Sequence, residues 1–255
     1  MVTHQAKKLK VKEIHSKSIL SRSQVYDYVV NPYVGCQHGC SYCYATFMRR
    51  FTGHKESWGD FVDIKINAPE LLKKEITKKK QGTVWVSGVT DPYQALEKRY
   101  ELTRQCLEIL VKHDWPVIVQ TRSPLVLRDI DFFRRSERIE VGLSITTAND
   151  AIRKAFEPHA PSIDARLKAI ESLRQNGIKT YAMIAPILPE AENLVTMLEG
   201  KVDYIIIDRM NYRHSDDVYR QHGWQTKNTD EYFDQVKRRM LDDCAEFGIE
   251  CRPAY

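Results

Sequence analysis

Short apolar runs alternate with amphipathic stretches along most of the chain. The apolar runs are rich in β-branched and aromatic residues and predict short strands. They cover residues 84–89, 117–120, 140–145, 179–185 and 204–207, with a short run near 249–251 and a first one at about 28–33. Strands that alternate with helical stretches are typical of βα units around a parallel sheet, so the pattern predicts an α/β fold.

The intervening stretches place apolar residues at a period of about 3.6, as expected for helices packed on a core. The predicted helix faces carry Leu102, Cys106, Leu107, Ile109 and Leu110; Ile163, Leu167, Ile170 and Leu173; and Val236, Met240, Cys244 and Phe247. A further helix is predicted at 69–80, because proline is favoured in the first turn. Cysteine on such faces usually acts as a small hydrophobe, so Cys106 and Cys244 are expected in the core, and core burial is favoured for Cys251.

Composition is that of an ordinary globular protein, with 42% hydrophobic and 29% charged residues among 255. No apolar run approaches the roughly 20 residues that span a bilayer, and the N-terminus lacks the apolar segment of a secretory signal. We therefore expect a cytoplasmic protein without membrane contact. The pattern predicts a basic arm over residues 1–30, packed on one domain that covers residues 31–255.

The net charge of +5 is modest, but the basic residues are clustered. The clusters are Lys7, Lys8, Lys10, Lys12 and Lys17 in the arm; Lys73, Lys74, Lys78, Lys79 and Lys80 on one predicted helix; and Lys237, Arg238 and Arg239 on another. A basic face can bind a phosphate backbone, although a solvated helix face is the more common meaning of such runs. Both interpretations stay open.

Three cysteines, Cys36, Cys40 and Cys43, lie within one short segment, NPYVGCQHGCSYCYA. In a reducing compartment, clustered thiols favour metal binding over disulfides. A zinc site or an ordinary cubane takes four protein ligands, so three thiolates around a [4Fe–4S] cube would leave one iron open. The residues alone also allow a zinc knuckle completed by His38 or His54, or three unrelated core thiols.

The cysteine segment resembles the cluster loop of the radical S-adenosylmethionine (SAM) superfamily. Later segments are similar, in order, to its spore photoproduct lyase-like branch: SGVTDPYQ, LTRQCLEIL, QTRSPLVLRD, GLSITT and EPHAPSIDARLKAI. The resemblance runs from about residue 31 to about residue 189. It implies a partial (β/α)6 barrel of parallel strands with outer helices, and ligands lie at the carboxyl ends of the strands in such folds.

The resemblance also implies roles for particular residues. A [4Fe–4S] cluster would be held by Cys36, Cys40 and Cys43, and SAM would bind its fourth iron. The implied SAM contacts are Tyr42 near the adenine, Thr90 and Asp91 near the ammonium, Arg122 at the carboxylate and Ser144 at the ribose. Arg122 stands where the lyases use lysine, and its planar fork suits a carboxylate.

Each of these residues also has a structural interpretation. Thr90 and Asp91 precede a proline, and their role could be merely to shape a turn. Arg122 could pair with Asp129 or Asp131, and Ser144 could be a buried strand hydroxyl. Glu157 and Arg166 could form an ion pair that braces the SAM pocket or one that serves the fold alone. Aromatic candidates for a substrate opening, or for packing near the surface, are Tyr93, Tyr212, Tyr219 and Trp224.

We therefore expect a lyase-like radical SAM enzyme that cleaves SAM reductively and abstracts hydrogen from a substrate, with a flavodoxin- or ferredoxin-type reductant. The sequence does not identify the substrate. One hypothesis is a nucleic acid (a DNA lesion or RNA), as for spore photoproduct lyase, and another is a small metabolite or peptide. A zinc-dependent nucleic-acid-binding module without catalysis is a third possibility. Gly88 stands where the lyases carry a hydrogen-donating cysteine. Repair of thymine dimers is therefore not expected here.

Overall fold

The computed structural model describes residues 9–254 and contains two sheets. The strands, in chain order, are β1 (Lys10–Ile14), β2 (Leu20–Arg22), β3 (Tyr28–Val30), β4 (Tyr33–Val34), β5 (Phe61–Lys65), β6 (Val84–Val86), β7 (Val117–Thr121), β8 (Ile139–Ser144), β9 (Lys179–Ile184), β10 (Tyr204–Ile207) and β11 (Glu250–Pro253).

The larger sheet has eight strands in the order β11-β10-β9-β8-β7-β6-β3-β2. The strands from β11 to β3 are all parallel, and β2 joins the edge antiparallel to β3. The sheet stays open between β11 and β2. The predicted partial barrel of parallel strands is confirmed.

Helices connect these strands. They are α1 (Ala68–Ile76), α2 (Glu97–Tyr100), α3 (Leu102–Lys112), α4 (Ile130–Phe133), α5 (Asp150–Phe156), α6 (Ile163–Gln175), α7 (Leu194–Leu198), α8 (Asp216–Gln221) and α9 (Asp230–Glu246). Short 3-10 turns supplement them, the longest at Tyr44–Phe51. Of the helices in residues 9–254, none has the length and apolar character needed to cross a membrane.

The main core lies between the sheet and these helices. The predicted apolar faces of α3, α6 and α9 are buried there, and Leu107, Ile170 and Met240 have no exposed surface. Cys106 and Cys244 are buried among them, as predicted. Cys251 on β11 is only half-buried and packs at the margin of the same core.

Three predicted elements end differently in the structure. The first strand divides into β3 and β4, which lie in different sheets, and Pro32 between them has no N–H for a ladder. The helix predicted at 69–80 ends at Ile76, because the following lysines offer no apolar side chain to bury. The strand predicted at 84–89 ends at Val86, and the chain then turns into the loop that carries Thr90 and Asp91.

The small sheet was not predicted. It has the order β1-β5-β4, with β1 parallel to β5. It contains β1, the first described segment of the N-terminal arm, whereas β2 and β3, later in the arm, lie in the main sheet. Lys7 and Lys8 lie outside the described residues. The division at residue 30 stays a prediction.

Tyrosine rings fill the barrel near the amino ends of its strands. Tyr181 and Tyr204 are paired neighbours on β9 and β10, with ring centroids 5.1 Å apart and nearly parallel planes. Arg252 lies over Tyr204, 3.6 Å from its ring centroid. Gly142 on β8 makes this possible, because any Cβ there would overlap the Tyr181 ring.

Gly142→Ala should therefore lower the free energy of unfolding by about 1–3 kcal/mol, the usual cost of overpacking a core. Urea unfolding measures the change. In a Tyr181→Leu background the same substitution should cost much less, because the ring is gone. An equal cost in both backgrounds would contradict the assignment of the clash to Tyr181.

Candidate active site

One cavity of about 390 Å³ lies at the carboxyl ends of the barrel strands. All eight residues predicted to hold the cluster or contact SAM line it: Cys36, Cys40, Tyr42, Cys43, Thr90, Asp91, Arg122 and Ser144. Arg122 directly follows β7, and Ser144 is the last residue of β8. The strand ends therefore bring together residues that are more than 100 positions apart in the sequence.

The cysteine loop follows β4 and depends on a glycine at its start. Gly35 has a φ of +88°, and a Cβ there would overlap the carbonyl oxygen of Phe61. Further along, the Ser41 N–H donates to the Phe156 carbonyl over 2.8 Å. These contacts fix the loop between the small sheet and the end of α5.

The three cysteines of the loop are free thiols, and Cys36 and Cys40 are buried. Burial, aided by the charges of Asp91 and Cys43, raises the pKa of Cys36 to about 12, and burial likewise raises the pKa of Cys40 and Cys43. Iron binding must therefore displace their protons.

The donor set fits an iron–sulfur cube. Within residues 9–254, no three or more His, Cys, Asp or Glu side chains are grouped to hold a single metal ion. A cubane sets a different requirement, because each thiolate binds its own iron at a separate corner. Three thiols that line a single cavity fit that requirement, and Cys36, Cys40 and Cys43 would hold the cluster there.

The two histidines considered as zinc ligands have other partners. The His54 ring lies between Glu56 and Asp63, with its nitrogens 3.0 and 2.9 Å from their carboxylate oxygens. His38 Nε2 lies 3.2 Å from Asp91 Oδ2. A zinc knuckle would require one of these side chains to leave its carboxylate.

Asp91 connects three parts of the site. Its Oδ1 accepts hydrogen bonds from the Tyr93 N–H (2.9 Å) and the Thr121 hydroxyl (2.6 Å), and its Oδ2 accepts from the Arg122 N–H (2.8 Å). Burial opposes its ionisation, but the charge of His38 and these hydrogen bonds lower the pKa of Asp91 to about 2. The turn interpretation is thus confirmed, and contact with the SAM ammonium stays a prediction.

Glu157, at the end of α5, is fully buried and has four side-chain partners. It pairs with Arg166 and accepts from the Tyr42 hydroxyl, from Thr146 over 2.9 Å and from Arg122 Nε over 3.3 Å. Burial raises its pKa, but the charges of Arg166 and Arg122 and the hydrogen bonds from Arg166 and Tyr42 prevail and hold the pKa of Glu157 well below its ordinary value. The predicted ion pair is confirmed.

Arg122 completes this network. Its Nη2 lies 3.0 Å from the Tyr42 hydroxyl, and its guanidinium lies 5.8 Å from the Tyr42 ring centroid. The interpretation that Arg122 pairs with Asp129 or Asp131 is wrong. Both of those carboxylates pair with Arg104, which approaches from α3.

Thr90 and Ser144 each have a side-chain amide as a neighbour. The Thr90 hydroxyl donates to the Gly35 carbonyl over 2.7 Å and accepts from Gln94 over 3.0 Å. The Ser144 hydroxyl accepts from Gln120 over 3.2 Å. Ser144 is indeed a buried strand hydroxyl, and its place in the cavity wall leaves the predicted ribose contact possible.

Aromatic residues form much of the remaining wall. Of the four candidates from the sequence, Tyr212 lines the cavity, whereas Tyr93 and Tyr219 are buried in the core and Trp224 stacks on Phe156. The sequence reasoning missed Tyr26, Tyr44, Trp58, Trp85 and Tyr181. For Tyr44, adjacency to the third cysteine was the available signal. Trp85 and Tyr181 sit at inward positions of predicted strands, which strand alternation could have identified.

The family model described as "Radical SAM superfamily" matches residues 30–199. An uncharacterised protein of Methanocaldococcus jannaschii is 38% identical over 185 residues, which cover 72% of this chain and 70% of that protein. A protein of Pseudomonas phage M6 described as a radical SAM Nalpha-GlyT isomerase is 26% identical over 163 residues, 63% of this chain and 33% of its own length.

Solved structures give the same fold. A spore photoproduct lyase variant with bound AdoMet and dinucleoside spore photoproduct aligns over 97% of this chain and 82% of its own, with a TM-score of 0.68 and 17% sequence identity. At this identity the likeness concerns the fold alone.

Glu157→Gln should lower the free energy of unfolding by about 3–5 kcal/mol, because it leaves buried arginines without their counter-charge. Since the folded-state pKa of Glu157 is depressed, its contribution is present above the unfolded value of 4.5 and is lost as pH falls below it. Urea unfolding at about pH 7, and at pH values lowered in steps from about 5 to about 2, measures both effects.

Asp164→Asn is the matched control, because Asp164 pairs with Lys168 on the same helix, α6, but is exposed. It should cost less than about 1 kcal/mol. Equal losses in the two variants would show that the Glu157 network adds nothing beyond a surface pair.

Proposed function

This chain belongs to the radical SAM superfamily, and on that premise we propose that it cleaves SAM reductively and abstracts hydrogen from an organic substrate in the 390 Å³ cavity. The observation that carries the proposal is the convergence of the three cysteines and all five predicted SAM contacts on that cavity.

Cys36, Cys40 and Cys43 would hold the [4Fe–4S] cluster, and Tyr42, Thr90, Asp91, Arg122 and Ser144 would surround SAM. When bound, the cluster and SAM supply one-electron cleavage of a C–S bond, giving methionine and a 5′-deoxyadenosyl radical that takes a hydrogen atom from the substrate. The protein binds, orients and excludes water. A flavodoxin- or ferredoxin-type protein would supply the electron. The cytoplasmic location stays a prediction.

The proposed role of Arg122 is to bind the SAM carboxylate. Its side chain is 19% exposed, and it is held from one side by Glu157 and Tyr42. The pKa of Arg122 is raised well above its ordinary value: burial opposes the charge, but the neighbouring Tyr42, Cys40, Glu157 and Asp91 favour it. A fixed, permanently charged fork facing the cavity suits a carboxylate ligand.

A lyase acting on nucleic acid is the second candidate, favoured by the structural likeness to spore photoproduct lyase. Gly88 argues against the same repair reaction, because glycine offers no thiol. A Cβ at this position would lie 3.2 Å from both Trp85 and Val29, so a cysteine would press on the cavity wall. The Tyr44 hydroxyl donates to the Gly88 carbonyl and closes this part of the wall.

Cys36→Ala, Cys40→Ala and Cys43→Ala should each abolish the cluster and all formation of 5′-deoxyadenosine. After anaerobic reconstitution, wild-type protein should contain about four iron and four sulfide per chain. Cys106→Ala is the control, because Cys106 is buried in the main core and should leave the iron content unchanged. A protein lacking all three loop cysteines that still held a full cubane would refute the assignment.

Arg122→Gln should weaken SAM binding about ten- to hundredfold, since losing a charged hydrogen-bond partner costs about 1.5–3 kcal/mol. Arg128→Gln is a close control: Arg128 is 20% exposed and also pairs with a fully buried glutamate, Glu97, but lies outside the cavity wall. Calorimetry with SAM and thermal unfolding should show both variants less stable and only Arg122→Gln impaired in binding. Equal SAM affinity in the two variants would show that Arg122 contributes to the stability of the fold and not to SAM binding.

A further inference from the structure

We propose that a second cavity, next to the reaction cavity, binds single-stranded nucleic acid and presents one of its bases to the reaction cavity. The inference rests on the proposed function, because the bound strand would be the substrate of that site. The second cavity has a volume of about 660 Å³, and we call it the vestibule. Its lining includes Tyr44, Phe47, Arg49, Arg50, Trp58, Tyr212 and His214.

The vestibule adjoins the reaction cavity. Tyr44, Trp58 and Tyr212 line both spaces. Tyr44 directly follows Cys43, a proposed cluster ligand, and His214 Nδ1 lies 3.2 Å from the Cys43 carbonyl oxygen. A molecule bound in the vestibule therefore lies beside the cavity in which hydrogen would be abstracted.

Three of its rings form a stack on the surface. The Tyr44 and Tyr212 centroids are 6.4 Å apart with planes at 22°, and those of Tyr212 and His214 are 5.4 Å apart at 23°. Tyr44 is 40% exposed and Tyr212 50%. Unpaired nucleobases stack on exposed aromatic side chains, with little dependence on base identity.

Cationic groups lie beside these rings. Arg49 and Arg50 are exposed, and within residues 9–254 neither has a carboxylate within ion-pair distance. The Arg50 guanidinium lies 5.7 Å from the Phe47 ring centroid and 5.5 Å from that of Phe51, which is 70% exposed. None of the described residues that line the vestibule is acidic. Arginines next to stacking rings suit a strand with phosphates on one side and bases on the other.

The combination of flat rings and arginines favours single-stranded nucleic acid over an acidic protein, such as a reductant, as the bound partner. An acidic protein partner would require positive charge and apolar area on this surface, but its binding would not require near-parallel rings that border the reaction cavity. A duplex also fits less well, because its base faces are already stacked on each other.

Fluorescence anisotropy with the reconstituted holoenzyme and SAM tests the proposal. The probes are fluorescein-labelled single-stranded DNA and RNA of about 12 nucleotides and the duplex of the same sequence. Single strands should bind more tightly than the duplex, and the DNA and RNA arms identify the preferred sugar. Arg49→Gln/Arg50→Gln should weaken binding at least about tenfold and reduce the salt slope by about 1.4, or 0.7 per phosphate contact.

Tyr212→Leu removes the central ring of the three-ring stack and keeps an apolar side chain. It should weaken binding about five- to hundredfold with an unchanged salt slope. Lys73→Gln/Lys74→Gln removes the same charge from an exposed face of α1, away from both cavities, and should change affinity less than about twofold. Melting temperatures verify that all variants are folded.

Equal weakening by the vestibule and α1 variants, or tighter binding of the duplex, would overturn the proposal. So would vestibule variants that keep oligonucleotide affinity but accept electrons more slowly from reduced flavodoxin, because the surface would then dock a protein. Deoxyadenosine formation by the wild-type holoenzyme with dithionite is measured alongside. If deoxyadenosine forms but the vestibule substitutions leave oligonucleotide affinity unchanged, the inference fails and the proposed function stands. If no deoxyadenosine forms, both fail.

Discussion

The negative charge of Glu157 is buried at the centre of the site, and a buried carboxylate destabilises the fold unless it is well paired. Its partners come from the cysteine loop (Tyr42), the end of β7 (Arg122), the segment after β8 (Thr146) and α6 (Arg166). Each of these elements must therefore occupy its observed position for the charge to be compensated. The requirement to satisfy one carboxylate aligns the elements that form the cysteine side of the cavity.

Asp91, a second buried carboxylate, and Glu157 both bind Arg122. The Arg122 backbone N–H donates to Asp91, while its side chain pairs with Glu157. Arg122 is thus fixed at both ends before any ligand binds, and His38 and Thr121 complete the Asp91 side. Since little reorganisation is needed on binding, such a site loses little affinity to ordering costs.

Much of this architecture was predictable from local sequence. Strands β7, β8 and β10 are mostly apolar and rich in β-branched residues, and polar residues stand at or directly after their carboxyl ends. The small sheet was not predictable, because β1 is mostly charged and exposed and its strand partner, β5, lies some 50 residues away. The partners of Glu157 were equally hidden, since Tyr42 lies 115 positions from it. Spacing within one segment carries no information about contacts at that distance.

The Tyr181 ring also determines how deep the reaction cavity is. It lies between the cavity and the Tyr204–Arg252 contact beneath it, and it fits only because residue 142 is glycine. The depth available to a substrate is thus fixed by one pair of positions on adjacent strands, and neither position is a predicted cluster ligand or SAM contact. A change of this pair would alter which molecules fit and would leave the predicted SAM contacts in place. Under the proposed function, the size of the substrate would therefore be set by residues other than those proposed to hold the cluster and SAM.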